Sequence, residues 1–239
     1  MTAEPRSPAE AHDHTHADIS GGWLRAAVFG AMDGLVTNTA LVAGVGGGGA
    51  APRSIVLAGV ASLVAGAISM ALGEYTSVKT QNEQLDLEVE KERLELERNP
   101  EGELAELAEM LRARGVEAGL AKTVAAQLSQ DPETALRLHI MAELGLSAED
   151  KPSPRVAAVS SFLTFSVGAV IPLLPYLFGF AVLWAALLCG GIGLFVAGAL
   201  SSRFTPRPWW YAGLRQLLFG AAAAGITYVV GSLIGVAVA

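Results

Sequence analysis

Two Glu-x-x-Glu pairs, Glu92 with Glu95 and Glu103 with Glu106, bracket the dipeptide Asn99-Pro100, and further along His139 precedes Glu143 by four residues. Spacings of three and four return a side chain to the same helix face, so each pair can aim two ligands at one point. At 100° per residue, Glu88, Glu92 and Glu95 fall within roughly 60° of arc. Leu85, Val89 and Leu96 border that arc on one side, Leu87 and Leu94 on the other, and Glu83, Asp86, Glu90 and Glu97 take the opposite face. Like charges so placed repel by about 0.2–0.5 kcal/mol per pair, and two such faces converging would call for a cation between them. Carboxylate oxygens with an occasional imidazole nitrogen suit hard or borderline divalent metals such as Mn(II) and Fe(II). The competing explanation is that a glutamate-rich run is a solvated helical face.

A second set of ligands lies in apolar surroundings. Asp33, in Gly30-Ala31-Met32-Asp33-Gly34, and Glu74, in Ser69-Met70-Ala71-Leu72-Gly73-Glu74, are the only acids inside the apolar runs. A carboxylate at the centre of a bilayer costs about 2.5–3.5 kcal/mol on insertion scales, and such residues face a cavity, a partner or an ion path. Gly30 and Gly34 flank Asp33 on its own face, which lets a neighbouring helix or an ion approach. Met70 and Glu74 share a face, a soft thioether beside a hard carboxylate. The bland alternatives are that Asp33 bonds neighbouring helices and that Glu74 marks the end of its span.

The elements that position these residues follow from the hydropathy pattern. The chain of 239 residues is 52% hydrophobic with 27 glycines, and its mean hydropathy of +0.44 is that of a membrane protein. Apolar runs at 23–46, 54–77, 156–178, 180–200 and 209–237 are each long enough to cross a bilayer as a helix. The third and fourth are separated only by a turn at Tyr176 to Gly179, after Pro172 and Pro175, so one long re-entrant segment is the competing parse. The fold class expected is thus an all-α membrane protein of five transmembrane helices, with a helical metal-binding domain between spans two and three. Residues 1–22 form a polar tail containing His12, His14 and His16, a candidate but nonspecific metal-capture tract. Residues 23–78 hold spans one and two, 79–155 the polar domain, and 156–239 spans three to five. The polar domain carries 17 of the 23 acidic residues against 10 basic ones, which makes it worth −7, the whole formal charge. Such an acidic chain excludes nucleic acid as a partner, and the single Cys189 excludes an internal disulfide or a thiolate cluster.

Within the polar domain, no Gly or Pro interrupts Tyr75 to Arg98, so span two is expected to run on as one charged helix. Asn99-Pro100 reads as an N-cap and first turn. Helices are expected from there to Arg114, over Val116 to Ser129, and from Asp131-Pro132 to Gly145. Leu104, Leu107, Leu111, Leu120, Leu128, Leu136 and Leu144 would supply the core. Glycines 59, 66 and 73, seven apart, read as close helix packing, and Trp209, Trp210 and Tyr211 beside Arg207 as an interfacial anchor. With the N-terminus in the cytosol, Arg25, Lys79, Arg155, Arg203 and Arg207 fall on the cytosolic side and only Arg53 opposite, the bias expected of that orientation. Five spans cannot divide into two equal halves, so a two-fold pathway requires a homodimer.

The segment Ala27 to Asn38, the segment Ser69 to Tyr75 and the two Glu-x-x-Glu pairs closely resemble the vacuolar iron transporter family, over essentially all of the chain after residue 22. The resemblance implies a homodimer with a path between subunits and a cytosolic domain that binds divalent metal. It also implies export of Fe(II) from the cytosol driven by proton counterflow. Asp33 and Met70 match the family's metal-binding positions in the membrane, with Glu74 as a further candidate on the path. Glu92, Glu95, Glu103 and Glu106 match the carboxylates of its cytosolic site, and Glu143 matches a ligand on the last helix of that domain. Where the best-described member carries further Met and Glu ligands on that helix, this chain has His139 and Ile140, with His139 or Met141 as substitutes. Fe(II) is the expected substrate, with Mn(II), Zn(II) and Co(II) as alternatives and no organic cofactor. An Ala- and Gly-rich composition suggests a bacterial plasma membrane.

Two other classes compete. A carboxylate-bridged metal enzyme would typically show Glu-x-x-His on paired helices, whereas here His139 precedes Glu143. A membrane-anchored acidic interaction module has no use for Asp33, and its isolated polar domain would bind no metal.

Overall fold

A chain in hydrocarbon has to satisfy its backbone N–H and C=O groups internally, so each apolar run becomes a helix. The computed structural model describes residues 22–144 and 151–238. Its helices are α1 (Trp23–Gly47), α2 (Pro52–Arg98), α3 (Pro100–Ala113), α4 (Ala118–Leu128), α5 (Pro132–Leu144), α6 (Pro154–Val170), α7 (Leu174–Leu177), α8 (Leu183–Ser201) and α9 (Trp209–Val238). No strand occurs among the described residues. Five segments are long and apolar enough to span a membrane: Trp23–Gly47, Pro52–Arg98, Pro154–Leu177, Leu183–Phe204 and Trp209–Gly235. The third is α6 and α7 joined by a 3₁₀ turn at Ile171–Leu173, where Pro172 and Pro175 withhold backbone donors. Residues 178–182 then break the chain before α8, which favours two spans over one re-entrant segment.

α1 is the hub, packed against α6, α9, α8 and α2. Its face toward α6 depends on missing side chains. A Cβ on Gly30 would stand 2.8 Å from the Ser161 carbonyl oxygen, and one on Gly34 would stand 3.0 Å from the Ala169 nitrogen. With no hydrophobic drive between helices in lipid, such backbone approach and interhelical hydrogen bonds hold the bundle. Asn38, fully buried, supplies two: its Nδ2 donates to the Ala169 oxygen at 2.7 Å and to the Gly59 oxygen at 3.2 Å, pinning α1, α6 and α2 together. Of the evenly spaced glycines on α2, Gly59 and Gly66 meet Leu173 and Phe165, but nothing lies within 4 Å of where a Gly73 side chain would begin. Gly73 thus departs from the packing role expected of it.

α2 decides the layout. Its 47 residues at 1.5 Å each make a rod of about 70 Å, against about 30 Å of hydrocarbon. The far half, as expected from the unbroken Tyr75 to Arg98, projects as the backbone of the polar domain. The Asn99 side chain then accepts from Gly102 N at 3.2 Å and caps α3. α4 starts two residues later than the sequence suggests. Gly115 turns the chain at φ 95°, and the Glu117 carboxylate takes the cap, accepting from Gly119 N and Leu120 N at 3.0 Å. With that start Leu120 faces outward, contrary to its expected core role. Ala121 and Ala125, one turn apart, pack inside instead. Leu107 and Leu136 are buried as expected and Leu104, Leu111 and Leu128 pack around Leu107 and Ala125. Asp131 caps α5 through Thr134 N at 3.2 Å. The side chain of Leu144, the stop at Gly145 and the histidine tail fall outside what is described.

Candidate metal centres

The far half of α2, α3 and α5 bring together Glu92, Glu103 and His139. Their relative exposures are 7%, 6% and 0%, so three ionisable side chains share a dry interior. One ligand atom from each lies within 4.8 Å of the others. His139 Nδ1 is the centre, 3.0 Å from Glu92 Oε1, 3.4 Å from Glu103 Oε2 and 3.8 Å from Glu143 Oε1. Two ligands each about 2.1 Å from one ion stand about 3.0 Å apart at a right angle and about 3.4 Å apart at the tetrahedral angle. The two shorter separations match donors around a single cation, and equally an imidazole–carboxylate ion pair. Yet Glu92 Oε1, Glu103 Oε2 and both nitrogens of His139 make no hydrogen bond among the described residues. Buried polar atoms are ordinarily paired, so three orphans that converge, Glu92 Oε1, Glu103 Oε2 and His139 Nδ1, mark a place for a ligand.

The electrostatics agree. The Glu92 carboxyl is pushed up to about 7, first by burial and then by the fields of Glu143, Glu103, Glu95 and Glu106. Burial also raises Glu103, with the His139 imidazole opposing the shift. A proton that Glu92 holds near neutrality is one that a metal ion can replace.

Not every expected ligand enters this core. Glu95 and Glu106 are exposed and Glu143 sits half-exposed at the rim, so these three act on the buried pair through their field. Glu88 turns aside to Lys91 at 2.6 Å. Met141 points outward at 57% exposure and Ile140 belongs to the core. His139, of the two substitutes named from sequence, is the one that faces the carboxylates. Arg93, paired with Glu133 at 2.9 Å, ties α2 to α5 beside the cluster.

The second group lies between α1 and the apolar half of α2. Asp33, Met70 and Glu74 line one cleft of about 330 Å³ with Phe29, Thr37, Gly66, Ser69, Gly73 and Phe165. Thr37 Oγ1 donates to Asp33 Oδ1 at 3.2 Å, and Met70 packs against Phe165, Ala67 and Ala169. Gly73 lines the cleft beside Glu74. Glu74 is buried and its Oε2 accepts from Arg25 Nη2 at 2.8 Å. Arg25, in sequence only a marker of orientation, is thus the partner of Glu74. Residues 49 apart leave no periodic signal of their pairing.

A bundle of apolar helices with a mixed oxygen and sulfur cleft, and a buried Glu-Glu-His cluster on the extension of one of them, defines an all-helical membrane protein with two groups of cation-type ligands. The chain belongs to the VIT family, whose sequence profile matches residues 24–232. It is 38% identical to the vacuolar iron transporter of Acanthamoeba castellanii, over 96% of this chain and 84% of that protein. Identity is 33% to vacuolar iron transporter 1 of Oryza sativa subsp. japonica, over 92% and 90% of the two chains. With vacuolar iron transporter 1 of Arabidopsis thaliana it is 30%, over 98% and 95%.

Proposed function

We propose that this chain is a transporter that moves Fe(II), and also Mn(II), out of the cytosol across a bacterial plasma membrane in exchange for protons, working as a homodimer. The relatives named above are iron transporters, which supports a transporter of divalent metal and not an enzyme. The observation that carries the reading is the convergence of Asp33, Met70 and Glu74 on one cleft inside apolar helices. Glu74 also ties α2 to α1 through Arg25 and Met70 also packs on Phe165. The Asp33 carboxylate, however, has only Thr37 as a hydrogen-bond partner among the described residues, and a cation in transit uses all three groups. Asp33 and Glu74, the two acids on the cleft, are the candidates for exchanging a proton for the metal.

In this reading the domain of residues 79–155 is cytosolic and collects metal. Glu92, Glu103 and His139 form its inner ligands and Glu95, Glu106 and Glu143 its rim. The basic residues Arg25, Lys79, Arg155, Arg203 and Arg207 support that orientation. Trp209 to Tyr211, with exposed rings and Arg207 6.0 Å over Tyr211, mark an interface at the start of α9 on either side of the membrane. Proteoliposomes with an imposed pH gradient test the proposal: Fe(II) flux coupled to the gradient is expected, and flux that survives Asp33→Ala unchanged would sink it.

A further inference from the structure

We infer that His139 is the residue that sets metal preference in the polar domain, a nitrogen ligand that favours Fe(II), Co(II) and Zn(II) over Mn(II) and Mg(II). The inference rests on the proposed metal-collecting role of that domain.

Burial and the orphaned nitrogens carry the argument. A histidine in a core ordinarily has both ring nitrogens accounted for, one as donor and one as acceptor. His139 is completely buried and neither nitrogen has a hydrogen-bond partner among the described residues. Its Nδ1 nevertheless stands 3.0 Å and 3.4 Å from two carboxylate oxygens that are unpaired as well. The imidazole is held in place by its own helix: Leu136 and Ile140 beside it on α5 are buried in the core. The ring therefore cannot swing to solvent, and a metal entering between Glu92 and Glu103 meets a nitrogen whether or not it prefers one. Oxygen-only sets suit Mg(II), Ca(II) and Mn(II), while imidazole suits Fe, Ni and Zn, and affinity for N/O sites rises from Mn(II) through Fe(II) to Co(II). One fixed imidazole among carboxylates thus adds little for Mn(II) and more for the later metals.

The test compares the full-length protein with a His139→Asn variant, which keeps a polar side chain but replaces the nitrogen ligand with an amide oxygen. Titration calorimetry with Co(II) and with Mn(II) is expected to show the ratio of the two affinities falling about tenfold in the variant, with Mn(II) affinity changed much less. Binding in the wild type with an unchanged ratio would overturn the role of His139 and leave the collecting site standing. No binding of either metal in the wild type would remove the site itself, and this inference with it.

A second measurement does not depend on how the variant folds. The chain has four histidines, so replacing His12, His14 and His16 with Ala leaves His139 as the only imidazole. Pulsed electron paramagnetic resonance of Mn(II) bound to that protein should show coupling to imidazole ¹⁴N, and its absence would overturn direct ligation.

Discussion

Asp33, Met70 and Glu74 and the cluster of Glu92, Glu103 and His139 are carried in part by the same helix, yet they are built on opposite terms. In the cleft each acid stands alone in an apolar span, with one neutral or cationic neighbour: Thr37 for Asp33 and Arg25 for Glu74. In the cluster two carboxylates and an imidazole are crowded together, their buried facing atoms without a hydrogen bond among the described residues, under the field of three more carboxylates. A span can carry few acids because each costs several kcal/mol to insert, so its ligands are sparse and its sulfur comes from an uncharged Met. The projecting half of α2 starts from water, where charge is cheap, and buries it only against α3 and α5. One long helix thus carries a sparse, open group of candidate ligands and a crowded, buried one, about 33 Å apart between Met70 and Glu92 at 1.5 Å per residue. In the proposed function the first would be a transit point, which has to release its ion, and the second a collecting point, which has to retain it.

The largest expected effect separates the two regions outright. Asp33→Ala should reduce Fe(II) flux in proteoliposomes to that of empty vesicles while calorimetry still detects metal on the polar domain. Loss of both would show that the regions are not independent. Next, Glu92→Gln should weaken metal binding by about 100-fold, roughly 2.7 kcal/mol, and leave flux at saturating metal substantially intact.

A third expectation concerns pH. The Glu92 carboxyl, raised from 4.5 to about 7, binds more protons folded than unfolded between those values. Its contribution to the stability of the metal-free protein is therefore fully present below about 4.5 and is lost as pH rises through 7. Metal binding runs the other way, strengthening with pH up to about 7 because the ion displaces that proton. Thermal unfolding at pH 5.5 and 7.5, with and without Mn(II), should show the metal-induced rise in Tm growing with pH; a rise independent of pH would contradict the assignment. The smallest effect belongs to the rim. Glu95→Gln or Glu106→Gln should cost only a few-fold in affinity, since each acts through its field alone, and should move the Glu92 titration downward. A loss as large as that of Glu92→Gln would place these side chains inside the cluster and erase the distinction between core and rim.

Much of this was legible in the residues. The five spans, the unbroken α2 and the caps at Asn99 and Asp131 follow from runs, breaks and turn chemistry, which are local. The pairing of Asp33 and Met70 in one cleft was suggested by resemblance alone, while Gly30 and Gly34 were expected to admit a neighbouring helix, and that helix is α6. The errors fell where a residue's orientation depended on a neighbour. Leu120 was expected inside and faces out where the Glu117 cap starts α4 at Ala118, and Gly73 was expected to pack but meets no described neighbour and lines the cleft.

The sequence by itself determined that this is an α-helical membrane protein with an acidic helical insert, because hydropathy and helical period act over a few turns. It also named the glutamates and the histidine from which a site could be drawn. Only the tertiary structure decided that Glu92 and Glu103 go inward while Glu95 and Glu106 stay in water, that His139 and not Met141 meets them, and that Arg25 claims Glu74. Burial and close approach are set by which helices pack together, and residues as far apart as Glu92 and His139 come within 3.0 Å only when α2 and α5 do.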